Sequence, residues 1–167
     1  MRSKTKTKLI YKAAGLLIFS ICGLLYYLDS SVKPISANLT LMPNDEAMVS
    51  FGKEIYVQNC ASCHGIQLEG QANWRQRDLN GYLPAPPHDK TGHTWHHHDK
   101  YLFDITKYGI EKMIGKKYPN NMPAYEGQLT DEAIISVLSY IKSKWPTHIQ
   151  RQHDQRNISA RAYKKDN

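Results

Sequence analysis

Cys60-Ala61-Ser62-Cys63-His64 is the segment that most restricts what this chain can become. On a helix, residues three apart lie on one face, so the two thiols stand together with an imidazole directly behind them. Thiolates and imidazole are ligands and nucleophiles that call for a partner, whether covalent or metallic. The chain has three cysteines in 167 residues, and an odd count excludes complete intramolecular pairing. Cys22, the third, sits in an apolar run and reads as a small buried residue.

Three chemistries compete for the pair. A thioredoxin-like redox dithiol needs a βαβ pattern around it, and none is visible. A zinc site needs a fourth ligand at typical spacing, often a second C-x-x-C, and the chain has no fourth cysteine. Covalent haem attachment fits the spacing: thiols one helical turn apart each add to a vinyl group of one porphyrin, and the adjacent imidazole reaches the iron. The expectation is one covalent haem c on Cys60 and Cys63, with His64 as an axial ligand.

The formal net charge of +7 first suggests nucleic acid or membrane, but its distribution decides the matter. Residues 1–12 carry five bases and no acid, residues 44–145 sum to −1, and residues 146–167 sum to +3. A nucleic-acid-binding core is disfavoured on that ground. Residues 1–8 read as a basic cytoplasmic segment. Residues 9–28 form an apolar run of twenty with one charge, Lys12, long enough to span a bilayer as a helix. The positive-inside rule places the amino terminus in the cytoplasm and the remainder on the periplasmic side of the inner membrane. A cleaved signal peptide, with Ile35-Ser36-Ala37 as its passable site, is the competing reading. Residues 29–43 read as a linker, 44–145 as the folded domain, and 146–167 as a polar basic tail without order, free to touch anionic lipid or an acidic partner.

Within the domain the pattern is helical throughout. Asn44 or Asp45 caps a first helix whose stripe is Met48, Phe51, Ile55 and Tyr56. A short helix runs from His98 or Asp99 to Tyr108, with Leu102, Phe103, Ile105 and Thr106 inward and Gly109 ending it. Thr130 caps a last helix through Trp145, with Ile134, Ile135, Val137, Leu138 and Ile141 on its apolar positions and Pro146 as its stop.

These residues resemble the monohaem class I cytochromes c over residues 44 to about 145. The resemblance rests on Gly52 and Tyr56 ahead of the C-x-x-C-H segment, on Asn121-Met122-Pro123-Ala124-Tyr125, which is similar to the family's M-P-A-[FY] segment, and on the closing helix. It implies an all-α class I cytochrome c fold behind one transmembrane helix, with first and last helices crossing at Gly52 and Tyr140. It also implies Met122 as the sixth iron ligand, Tyr56 among the haem-binding residues, and a proline carbonyl that accepts the proximal imidazole's N–H. Pro84, Pro86 and Pro87 compete for that role, with Pro84 preferred. Met122 is chosen over Met113 because it sits in an extended, proline-bounded loop where a thioether can be aimed, whereas Met113 belongs to a short helix.

Five histidines crowd residues 88–98. One reading makes this a polar loop in which Trp95 and one or two histidines donate to haem propionates; the other makes His93, His96, His97 and His98 a second, copper or zinc, site. The function expected from all this is electron transfer by a membrane-anchored carrier in a respiratory chain, not an enzyme in itself, exchanging electrons with redox partner proteins. The rivals are a haem sensor or enzyme whose Met dissociates, a metal-handling module built on the histidine loop, and a subunit of a larger oxidoreductase.

Overall fold

The computed structural model describes residues 39–166, so the expected membrane span at 9–28 lies outside the described residues. Every regular element among the described residues is helical. In chain order these are α1 (Glu46–Asn59), α2 (Ala61–His64), a single 3-10 turn (Thr94–His96), α3 (Asp99–Tyr108), α4 (Ile110–Ile114), α5 (Asp131–Ser143) and α6 (Thr147–Asp166). Among the described residues no helix is long and apolar enough to cross a membrane.

The local signals act where the sequence places them. Asp45 caps α1 by accepting from the Met48 amide at 2.9 Å, and Thr130 caps α5 by accepting from the Ala133 amide at 3.1 Å. Both satisfy an amide that a helix start leaves without an internal partner. α5 buries its expected apolar positions, and Ile134 is fully enclosed. On α1 the buried set is Gly52, Ile55 and Tyr56, while Phe51 is 41% exposed. The expected stripe is therefore rotated: the inward position falls to Gly52, because the helix axes approach too closely for a side chain there. A Cβ at Gly52 would stand 2.0 Å from the Ser136 carbonyl oxygen and 3.0 Å from the Tyr140 Cβ. In α3, Leu102, Phe103 and Thr106 are buried and Ile105 is half-buried.

The expectation of an unordered tail is corrected by residues 147–166. They form α6, a helix of 20 residues, with Ile149, His153 and Asn157 buried at spacings of four. Only one of the three is apolar, so no hydrophobic periodicity announces the face; polar side chains dock it instead. Asn157 Oδ1 accepts from the Asp99 amide at 2.7 Å, and Asp99 Oδ2 accepts from the Leu41 amide at 3.1 Å. His153 Nε2 lies 3.5 Å from Asp99 Oδ1. Lys142, in the last turn of α5, is buried and pairs with Asp154 of α6 at 2.5 Å. Pro146 thus both ends α5 and opens α6.

The linker is also shorter than expected. Leu39 and Leu41 are buried in the core, and the Met42 amide donates to Ser139 Oγ at 3.0 Å. Residues 39–43 therefore belong to the domain.

Two predictions follow from these contacts. Alanine at position 52 would gain about 1 kcal/mol in helix propensity, but it meets an unyielding backbone carbonyl, and overpacking of that kind costs about 3 kcal/mol. Gly52→Ala should therefore lower the thermal midpoint. Burial pushes His153 below the ordinary imidazole range, with Lys142 adding and Asp99 and Asp154 opposing. Its neutral form thus contributes stability that is complete above the unfolded value of about 6.5 and is lost as pH falls through the lower folded value. The thermal midpoint should drop on acidification from about pH 7 to about pH 5, and His153→Leu should flatten part of that slope.

Candidate haem site

The site begins at the end of α1. The Cys60 amide donates to the Tyr56 carbonyl at 2.9 Å, and α2 then carries the His64 amide back onto the Cys60 carbonyl at 2.9 Å. This puts Cys60, Cys63 and His64 on consecutive short turns. Cys63 is exposed and Cys60 half-buried, and no disulfide joins them. Burial and the neighbouring Cys63 push the Cys60 thiol up to about 11.

His64 is buried, and its Nδ1–H donates to the Pro86 carbonyl at 2.8 Å. That bond fixes the tautomer and leaves Nε2 unprotonated, the form in which imidazole ligates a metal. Burial holds His64 below the usual imidazole range, with the bond to Pro86 acting the other way. The acceptor is Pro86, not the preferred Pro84. Register explains the difference. The Gln71 amide donates to the Ala85 carbonyl at 2.9 Å and the His88 amide to the Leu68 carbonyl at 2.8 Å, so the two strands of chain are pinned on either side of Pro86. Close packing reinforces it: a Cβ at Gly70 would lie 2.4 Å from the Pro87 nitrogen, and one at Gly92 would lie 1.9 Å from the Pro87 oxygen.

Tyr56 acts on the loop that follows the cysteines. Its ring is fully enclosed against Tyr140, with centroids 5.5 Å apart, and its hydroxyl donates to the Gly65 carbonyl at 2.8 Å. Burial raises its phenol far above the ordinary value.

Met122 lies in a segment without regular structure, half-buried, whereas Met113 is on α4. Tyr125 secures that segment. Its amide donates to the Thr106 carbonyl at 3.2 Å, the Glu126 amide to the Lys107 carbonyl at 2.8 Å, and the Tyr125 hydroxyl to the Asn59 carbonyl at 2.7 Å. Asn59 immediately precedes Cys60, so the Met122 loop is stitched to the cysteine motif itself. Burial, then the Cys60 and Cys63 thiols, push the Tyr125 phenol up to about 12.

The rings of the histidine loop pair mostly with neighbouring aromatic side chains. The Trp95 indole N–H is directed at the Lys90 carbonyl, 3.3 Å away. His93 stacks on Trp74, His96 on Trp95 and His97 on Tyr101, while His98 Nδ1 caps α3 by accepting from the Tyr101 amide. Among the described residues no group of three His, Cys, Asp or Glu side chains is placed to hold a metal ion. His88, the remaining histidine of the run, has its ring against that of His64, with centroids 3.9 Å apart and planes 23° apart. Sequence reasoning missed this contact, since nothing in the run marks one imidazole out from the other four.

The arrangement fits a covalently bound porphyrin: two cysteines on one turn with no disulfide between them, an imidazole oriented through its far nitrogen, and a thioether loop tied to the same turn. Comparison with known proteins agrees. The family model for cytochrome c matches residues 49–145. The chain is 26% identical over 107 residues to a subunit named FixPc of a cbb3-type cytochrome c oxidase from Rhizobium leguminosarum bv. viciae, covering 63% of this chain and 31% of that one. It is 28% identical over 100 residues to cytochrome c6 of Diacronema lutheri, covering 58% of this chain and 95% of that one. The chain thus spans about a third of the oxidase subunit and nearly all of the cytochrome c6. No solved structure matches it. The chain belongs to the cytochrome c family, and it carries one covalent haem c through Cys60 and Cys63.

Removing the hydroxyl of Tyr125 tests how firmly the loop is held. Tyr125→Phe should cost about 1 kcal/mol in a denaturant titration while leaving the covalent haem content unchanged.

Proposed function

We propose that this protein is a membrane-anchored electron carrier with a single His/Met-ligated haem c. The observation that carries the proposal is the pairing of two anchored ligand groups around one cysteine motif: His64 oriented through the Pro86 carbonyl, and the Met122 loop tied through Tyr125 to Asn59. The haem iron supplies the one-electron couple. His64 and Met122 would hold the iron between them, which would disfavour oxygen or peroxide binding, and the anchors on both residues would keep rearrangement small when the charge changes. A neutral thioether favours reduced iron, so Met122 would raise the reduction potential relative to a harder ligand. No nucleophile, acid or base of the protein enters the reaction.

The apolar run at 9–28 supports an anchor in the inner membrane, with the haem domain on the periplasmic side. A relative that is named as an oxidase subunit supports a place in a respiratory chain, delivering electrons to or within an oxidase complex.

The test is direct. The reduced membrane fraction from cells expressing the full chain should give a c-type pyridine haemochrome, retained after salt washing; haem extractable by acid acetone, or haem confined to the soluble fraction, would defeat the proposal in its covalent or its anchoring part. Met122→Ala should abolish the weak red charge-transfer band of the ferric protein and open the ferrous form to carbon monoxide. The same substitution at Met113 should do neither.

A further inference from the structure

The segment 86–88 holds His64 in two ways. Pro86 holds it by an edge, through the hydrogen bond to Nδ1, and His88 holds it by a face, through the stacked ring. These restraints differ in kind. One hydrogen bond fixes the position of a nitrogen but leaves the imidazole free to rock about that point. A second flat ring at 3.9 Å, inclined by 23°, restrains the plane.

His88 is itself unusually well secured. Its amide donates to the Leu68 carbonyl at 2.8 Å, and its carbonyl accepts from the Trp145 indole N–H at 2.7 Å. Its Nδ1 is hydrogen-bonded to Thr94 Oγ1 at 2.8 Å, and the edge of its ring meets Tyr56 at 6.5 Å and 71°. Thr94 is buried on the 3-10 turn, so the edge of the ring has a fixed partner while its face meets His64. The backbone bonds fix where His88 sits, and the bond to Thr94 with the edge contact to Tyr56 fixes the ring itself.

We propose that His88 is a positioning residue for the proximal ligand: its ring fixes the plane of the His64 imidazole and keeps water from that face, and thereby helps to set the electronic state and midpoint potential of the haem. The proposal rests on His64 being an axial ligand of a covalent haem. The orientation of a ligand imidazole sets how it overlaps the iron d orbitals, and orienting partners behind a ligating histidine tune the metal it holds. Exclusion of solvent from the ligand disfavours the more highly charged ferric state, so admitting water should lower the potential.

The test uses the full-length haem protein and three variants, each first assayed for covalent haem by pyridine haemochrome. His88→Ala should shift and broaden the low-field feature of the ferric low-spin electron paramagnetic resonance spectrum and lower the midpoint potential. His88→Phe, which keeps a flat face but loses the bond to Thr94, should restore most of the wild-type line position. Thr94→Val, which keeps the side-chain volume and leaves the His88 ring in place without its anchor, should broaden the line by less than His88→Ala. A His88→Ala protein with full haem content and unchanged spectrum and potential overturns the proposal, even if its melting temperature falls. So does a Phe variant that behaves like Ala. Should His88→Ala fail to mature, an unchanged line in Thr94→Val overturns it. Absence of covalent haem in the wild-type protein would instead refute the haem reading beneath it.

Discussion

The carbonyl of Ser136 occupies the space that any side chain at position 52 would need, and the rest of the domain is arranged around that contact. With only hydrogen at Gly52, α1 and α5 come close enough to bury Tyr56 completely between them. Tyr56 then has its hydroxyl at the Gly65 carbonyl, which sets the loop leaving the cysteine motif. The same crossing brings the last residue of α1, Asn59, within reach of Tyr125. A packing fact on one helix is thus transmitted, through two tyrosine hydroxyls, to both sides of the place where iron is held.

Backbone carbonyls do most of the positioning. Gly65, Asn59 and Pro86 accept from Tyr56, Tyr125 and His64, while the His88 carbonyl accepts from Trp145. Carbonyls in loops are the groups that regular structure leaves unsatisfied, and pairing each with a rigid aromatic donor satisfies it at a small entropic cost. Irregular chain between residues 65 and 93 can therefore be held firmly without a strand or a long helix. That economy suits a chain of this size, in which a porphyrin supplies part of the apolar core.

What could be read from the sequence was whatever depends on local spacing. The cysteine motif, the cap Thr130, a first cap at Asn44 or Asp45 and the apolar face of α5 are all written in residues a few positions apart, whereas the close approach at Gly52 came only with the family resemblance. What could not be read depends on register between distant segments. Pro86 and Pro84 are equivalent until Ala85 pairs with Gln71 and His88 with Leu68. The five clustered histidines are equivalent until one of them stacks on His64. The face of α6 was invisible for a different reason: Asn157 and His153 dock through polar groups, so the hydrophobic pattern that betrays a buried helix face is missing. Phe51 and Gly52 exchange roles because proximity favours the smaller residue, a choice that hydrophobic periodicity alone does not weigh.

Asp99 gathers three distant parts of the chain at one residue: its amide is taken by Asn157 of α6, and its carboxylate accepts from the Leu41 amide while lying beside His153. Leu41 lies just ahead of α1, and α6 is the last described helix. A pull on residue 41 is therefore borne by a hydrogen bond into the protein's interior and shared with α6, not passed directly to the turn that bears Cys60. That is strain relief of the kind a cable clamp provides: load on this corner of the domain stops at Asp99, and the cysteine turn stays still.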